Sequence, residues 1–341
     1  MIAAGELIVL AVLSYLFIRT QAASHGPSAS RQLRSAERAY KMWVRGFAAG
    51  VGDQPAVVIL EPDALAELSN CRDKAARLAR LQMLSYAVKT IQTKSDQVYL
   101  DAGHSNWVPA GQMARRLQAA DVGQAYGFSL NVANYDPTGR EIGYATVLDR
   151  YLGQAKRFVI DTSRNGQGRA GGGGHLAARS TSRALQGAGQ GALAPRLFAD
   201  PNSQAANWVR AHHGAPLARQ VRQRIANQPT AKWFGAWSGD IAAAVSGYTS
   251  AAFRAHKVPV LVAYDVPQLG CRGNNAAGAK KWCNPPDRRL GSVPQVLDGQ
   301  GDMALWIKAP GESDGNCGVG TGTRMGEFSP VIANELISGK S

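Results

Sequence analysis

The sequence predicts an α/β fold: a parallel barrel of seven strands that alternate with helices. Two observations predict it. Short apolar runs, mostly rich in β-branched residues, recur along the chain, and helical patterns separate them. Each run also stops abruptly at polar, hydrogen-bonding residues. In parallel α/β folds the carboxyl ends of the strands are where ligands bind, so the polar strand ends mark one shared site.

The organising stretch is Ala56–Leu60, which ends in Glu61-Pro62-Asp63. Proline cannot donate to a ladder and biases Glu61 towards an extended conformation, so the strand stops at an acid. A helical pattern follows, and Asp63 is read either as its N-cap or as a site acid. Gln97–Leu100 leads in the same way into Asp101-Ala102-Gly103-His104, and Gly127–Leu130 into Asn131-Val132-Ala133-Asn134. Arg157–Ile160 leads into Asp161, Val258–Ala263 into Tyr264-Asp265, and Ala304–Ile307 into Lys308 and then Glu312-Ser313-Asp314. A seventh, short strand is Lys232–Trp237, which ends in aromatics. Helices are expected at 36–50, where Ala39, Trp43, Phe47 and Ala48 share a face, and at 72–93, 110–120, 142–154, around Trp208, at 216–227, 239–256 and 328–338. Residues 272–302 read as loop.

At 341 residues, with 45% hydrophobic and 18% charged residues, the chain suits one large globular domain over 36–341. A polar lead occupies 25–35. A linker at 167–197, rich in Gly, Ala, Ser and Arg, interrupts the domain. Its four consecutive glycines lack the strand–loop–helix context and the following Lys-Ser or Lys-Thr of a phosphate cradle. The net charge of +14 raises nucleic acid as a partner, but the basic residues are scattered and no zinc-finger or RNA-binding motif appears, so none is expected. Residues 1–24 carry the apolar run Leu7–Ile18, which has the length of a signal-peptide core. It reads as a secretion signal or an uncleaved membrane anchor. The cysteines Cys71, Cys271, Cys283 and Cys317 form no Cys-x-x-Cys pair, so zinc is not expected. An even count in an exported chain suggests two disulfides, and three pairings satisfy it.

Five phrases carry a resemblance. Ile59–Leu65, Leu100–His104, Ser129–Tyr135, Ile160–Gly166 and Trp306–Gly315 resemble glycoside hydrolase family six, the inverting cellulases. The likeness covers about 36–166 and 198–338. It implies a distorted seven-stranded parallel (β/α) barrel with permuted strand order. The block resembling 198–271 precedes the other in the family, so the strands here would run three, four, five, six, one, two, seven by family position. The resemblance further implies that Asp63 is the general acid and Asp314 the general base, with no metal or organic cofactor. Asp101, His104, Trp107, Asn131, Lys308 and Glu312 match sugar-contacting or supporting positions, and Tyr264 matches a tyrosine beside the cleaved sugar. Trp233, Trp237 and Trp282 are read either as glucose-stacking platforms or as core. The implied disulfides are Cys71–Cys271 and Cys283–Cys317.

The implied function is hydrolysis of internal β-1,4-glucosidic bonds in cellulose or a related β-glucan, with inversion, by a secreted or surface-anchored monomer. The alternative is a noncatalytic β-glucan-binding protein or an inactive rearranged member. One departure bears on this choice. Members of the family usually carry Arg-Asp-Cys where this chain reads Leu269-Gly270-Cys271. The missing carboxylate would leave Asp63 ionising at lower pH, because a neighbouring like charge is what raises an acid's pKa.

Overall fold

A computed structural model describes residues 27–71, 73–92, 96–153, 156–165, 196–267, 290–297, 301–313 and 327–338. The elements in chain order are α1 (Pro27–Val51), β1 (Val57–Leu60), α2 (Lys74–Ile91), β2 (Gln97–Asp101), α3 (Ala110–Ala119), β3 (Gly127–Leu130), α4 (Thr138–Leu152) and β4 (Arg157–Asp161). They continue with α5 (Gln204–Ala211), α6 (Ala218–Val221), β5 (Lys232–Phe234), α7 (Ile241–Arg254), β6 (Val260–Ala263), β7 (Gln295–Val296), β8 (Met303–Leu305) and α8 (Pro330–Ser338).

The strands form one sheet in the order β5-β6-β1-β2-β3-β4-β8-β7. Every pair is parallel except β7–β8. The expected seven strands are therefore all present. An eighth is added, the two-residue β7, inside the stretch read as loop. Two residues have no periodicity to read, and only pairing with Met303 and Ala304 makes Gln295 and Val296 a strand. Helix α1 also begins well before residue 36: Ser, Arg and Gln leave no apolar stripe there, yet they do not oppose helix formation.

The sheet curls into a half-barrel, and alternation along each strand builds two cores. Val57, Ile59, Tyr99, Val159, Val260, Val262, Met303 and Leu305 fill the concave side. Val58, Leu60, Val98, Leu100, Phe128 and Leu261 face the helical layer, where they meet Tyr40, Val44 and Phe47 of α1, Met83, Leu84 and Val88 of α2, and Val245 and Tyr248 of α7. The parallel strands are buried on both faces, which is why they read as unbroken apolar runs. Across the opening, the Ala231 N–H donates to the Trp306 carbonyl at 2.8 Å. The Trp233 indole N–H donates to the Ile307 carbonyl at 2.8 Å. These bonds draw β5 towards the chain leaving β8.

Helix ends follow their chemistry. Asp73 caps α2 by accepting the Ala76 N–H at 2.8 Å, and Asp240 caps α7 by accepting the Ala243 N–H at 3.1 Å. Gly127 is required where β3 presses on β4, because a Cβ there would lie 1.9 Å from the Arg157 carbonyl oxygen. We predict that Gly127→Ala destabilises the fold by an amount at or above the top of the ~1–3 kcal/mol range for overpacking. Urea unfolding would check this, and an unchanged midpoint would refute it.

Candidate active site

The carboxyl ends of the parallel strands are where backbone strain collects. Glu61 (φ 51°) and Asp63 (φ 69°) flank Pro62, and Asn131 (φ 63°) and Ala133 (φ 58°) follow β3, all in the left-handed region that non-glycine residues rarely occupy. The extended conformation expected for Glu61 before proline is therefore not adopted. Its carboxylate is buried, and it accepts the Asp265 N–H (3.0 Å to each oxygen), the Val266 N–H (3.0 Å) and the Tyr40 hydroxyl (2.9 Å), which together hold the turn. The helical pattern after Asp63 is a 3₁₀ turn, Ala66–Asn70, whose N-cap is Leu65, so Asp63 is not a cap.

Asp63 is half-buried, and its carboxyl accepts no hydrogen bond from the described residues. Burial, Asp101 and Glu67 push it well above the usual carboxylate range. Asp101 is buried and accepts the Asp63 N–H (2.9 Å), the Gly103 N–H (2.9 Å) and the Ser129 hydroxyl (3.0 Å). Burial raises Asp101 to about 7 against the pull of those donors. Glu67 lies one turn past Asp63, its N–H donating to the Asp63 carbonyl at 2.8 Å. Burial raises Glu67 too, opposed by Arg80 at 4.0 Å. Asp101 and Glu67 are thus the like charges among the described residues that raise Asp63; Gly270 lies outside the described residues.

The next strand ends are stitched to one another. Asn131 donates to the Asp161 carbonyl at 2.9 Å and to the Asp136 carbonyl at 3.1 Å, so its side chain positions loops and is buried away from solvent. Asp161 accepts the N–H groups of Ser163 (2.9 Å), Ala133 (3.0 Å), Ile307 (3.2 Å) and Lys308 (3.0 Å), joining the ends of β3, β4 and β8. His104 is buried, with Nδ1 3.0 Å from an Asp136 carboxylate oxygen and its ring 5.4 Å from that of half-buried Trp107.

An aromatic and charged rim lies across the mouth. The Tyr264 ring sits 5.5 Å from Trp233 and 6.3 Å from Trp237. Burial raises the Tyr264 hydroxyl, and so do Asp63, Glu67 and Glu61, which places Tyr264 beside the acids. Lys308 pairs with Glu312 at 3.2 Å and lies 5.5 Å from the centre of the Trp233 ring. Trp237 is 65% exposed, the disposition of a stacking platform, whereas Trp233 is partly committed to closing the barrel through its N–H.

Asp314, Trp282, Cys271, Cys283 and Cys317 lie outside the described residues, as does nearly all of the linker 167–197. Cys71 is buried beside Leu68 and Ala76. Ser313, the residue before Asp314, is buried and its N–H donates to the Glu327 carbonyl at 2.8 Å. Sequence reasoning missed three groups near the site, Glu67, Asp136 and Glu141, and assigned no role to Glu61 or Asp161. Glu141 is buried and accepts the Ser105 N–H at 3.1 Å. In sequence it is simply one more acid in a helix; the signal for Glu61 and Asp161 was their place at a strand end.

A half-barrel whose parallel strands deliver buried carboxyl groups and aromatics to one end is an α/β scaffold that gathers its polar strand ends at one face. The chain belongs to the family "Glycosyl hydrolases family 6", whose model matches residues 6–178, 189–281 and 270–331. It is 30% identical over 307 residues to Endoglucanase 1 of Streptomyces halstedii, covering 88% of this chain and 61% of that protein, so it spans less than two thirds of that relative's length. It is 46% identical over 134 residues to Endoglucanase A of Thermobispora bispora, covering 38% of this chain and 29% of that protein. Among solved structures it resembles the endoglucanase Cel6 of Mycobacterium tuberculosis in complex with a thio-linked methyl cellobiosyl cellobioside. That match has a TM-score of 0.53 and 29% identity, over 89% of this chain and 68% of that one.

The electrostatics make a direct prediction. Glu67→Gln removes a negative neighbour and leaves the Arg80 cation, so the Asp63 pKa falls. Carboxyl-resolved ¹³C NMR titration would read the shift, and an unmoved Asp63 would show that Glu67 does not hold its proton.

Proposed function

We propose that this protein hydrolyses internal β-1,4-glucosidic bonds of cellulose or a related β-glucan with inversion, Asp63 acting as general acid and Asp314 as general base. One observation carries the reading. Among the acids at the strand ends, Glu61, Asp101 and Asp161 are each occupied by hydrogen-bond donors, whereas the raised Asp63 accepts none from the described residues. A carboxyl group held well above the usual carboxylate range, with no hydrogen bond from the described residues to favour its ionised form, can donate its proton to a leaving glycosidic oxygen. The reaction then needs a second, ionised carboxylate across the bond, roughly 6.5–9.5 Å away to admit water. Asp314 is assigned that role by its motif. Tyr264, Trp233 and Trp237 support recognition, since flat apolar rings suit sugar faces, and Lys308 with Glu312 offers hydrogen bonds to hydroxyl groups. His104, Asn131 and Trp107 support the floor of the cleft, with Trp282 as a further candidate platform.

An endo pattern is favoured because the stretch after Asp314 carries no long insertion to roof a tunnel. Relatives of the chain include both endoglucanases and probable cellobiohydrolases. The apolar run Leu7–Ile18 supports a secreted or surface-anchored monomer, and the family resemblance supports disulfides Cys71–Cys271 and Cys283–Cys317. The exchanged block order is supported by the sheet, where β5 and β6 lie beside β1 although they follow β4 in the chain.

Asp63→Ala is expected to slow hydrolysis of soluble cellulose by about 10²–10⁴-fold while cello-oligosaccharide binding persists by calorimetry. Unchanged turnover would remove Asp63 from the mechanism, and wild-type binding without release of reducing ends would favour the noncatalytic alternative. Proton NMR of the first-formed anomer tests inversion, and viscosity loss against reducing ends tests the endo pattern. Peptide mapping without reduction should find Cys71 linked to Cys271; a Cys71–Cys283 link would contradict the proposed reassembly of the blocks.

A further inference from the structure

We infer that Glu61, together with Arg80, is a positioning residue that holds the segment after β6 so that Tyr264 stands against Asp63. The inference deepens the proposed hydrolytic reading and rests on it. The two side chains grip the same segment from its two kinds of backbone group. Glu61 takes the N–H of Asp265 and of Val266, each at 3.0 Å. Arg80, itself buried, donates to the Pro267 carbonyl at 3.3 Å and to the Ala64 carbonyl at 3.4 Å. Both therefore tie the turn that carries Asp63 to the turn that carries Tyr264. These turns are 204 positions apart in sequence, between Glu61 and Asp265, and the β1–β6 ladder that leads into them ends at Leu60 and Ala263.

The carboxylate is not free to serve chemistry. It is fully buried, and Tyr40 from α1 supplies a further donor at 2.9 Å. Its turn holds φ 51°, a conformation that needs such over-determination. Charge-assisted hydrogen bonds to backbone N–H groups are the strong and directional kind. A shift of 1 Å in a group near the reacting bond costs about 10²-fold in rate. The Tyr264 ring lies 5.5 Å from Trp233 and 6.3 Å from Trp237, and Asp63, Glu67 and Glu61 act on its hydroxyl, so displacement of its backbone would move it relative to both groups.

The test compares Glu61→Ala, Glu61→Gln and Tyr40→Phe with Tyr264→Phe, in the full chain. Glu61→Ala is expected to lower kcat on soluble cellulose by about 10²-fold with a smaller change in KM. Glutamine keeps an acceptor for the two N–H groups and is expected to recover most of the loss, and Tyr40→Phe to cause a small loss of the same kind. The Glu61→Ala loss should shrink sharply in the Tyr264→Phe background, because both act on one group. Near-ultraviolet circular dichroism, which reports the packing of Tyr264 with Trp233 and Trp237, should change in Glu61→Ala and recover in Glu61→Gln. That spectrum is independent of turnover, so an inert wild type would sink the hydrolytic reading while leaving this positioning measurable. Should Glu61→Ala fail to fold, the Gln and Phe variants carry the same comparison. Full additivity with Tyr264→Phe, or an unchanged aromatic spectrum in Glu61→Ala, would overturn the proposal.

Discussion

The mouth of this half-barrel depends on one repeated interaction: a buried strand-end carboxylate that accepts backbone N–H groups from a neighbouring turn. Asp101 takes the Asp63 N–H and so joins the end of β2 to that of β1. Glu61 joins the end of β1 to that of β6 through Asp265 and Val266. Asp161 joins the end of β4 to β3 through Ala133 and to β8 through Ile307 and Lys308. The ladders stop at or just before these residues, and a left-handed turn begins at Glu61. Orphan N–H groups are costly where water is excluded, and a carboxylate can accept several at once. The same groups that finish the sheet thus fix the loops that bear the site.

This arrangement separates acids that accept hydrogen bonds from one that accepts none among the described residues. Burial raises Glu61 and Asp101 to about 7 even with their donors. Hydrogen bonds to the ionised form pull the other way, so a carboxyl that accepts none is raised without that opposition. Asp63 is that carboxyl: its backbone N–H is committed to Asp101, while its side chain accepts nothing from the described residues. Asp101 contributes twice, anchoring the Asp63 backbone and placing a like charge near its carboxyl group.

Much of this was legible in the sequence, and the reasons are physical. Strands buried on both faces leave unbroken apolar runs, so Val57–Leu60, Gly127–Leu130 and Val260–Ala263 announced themselves. Their polar termini marked the site because nothing apolar can end such a strand at a ligand face. Two-residue β7 was not legible, since it exists only through its partner β8. The positive φ of Glu61 ran against the local preference before proline, because tertiary hydrogen bonds overrode it. Glu67 stands four residues past Asp63, a spacing that one helical turn brings together, and its N–H donates to the Asp63 carbonyl.

The sheet order is one that the proposed exchange of blocks would leave intact. Beside β1 lies β6, paired in register from Val57–Val260 to Leu60–Ala263, and beyond it β5. Behind them α1 packs on α7, so the two blocks share a ladder, a helix pair and the Glu61 link. None of these contacts depends on which block is synthesised first. Chain order enters the free energy only through the loops that join the blocks, and closure entropy grows slowly, by about 0.6 kcal/mol per doubling of loop length. A fold whose stability lies in ladders and buried cores can therefore absorb such an exchange. The demand falls on the reach of the connecting loops, and on the carboxylate-held turns that must reassemble from distant parts of the chain.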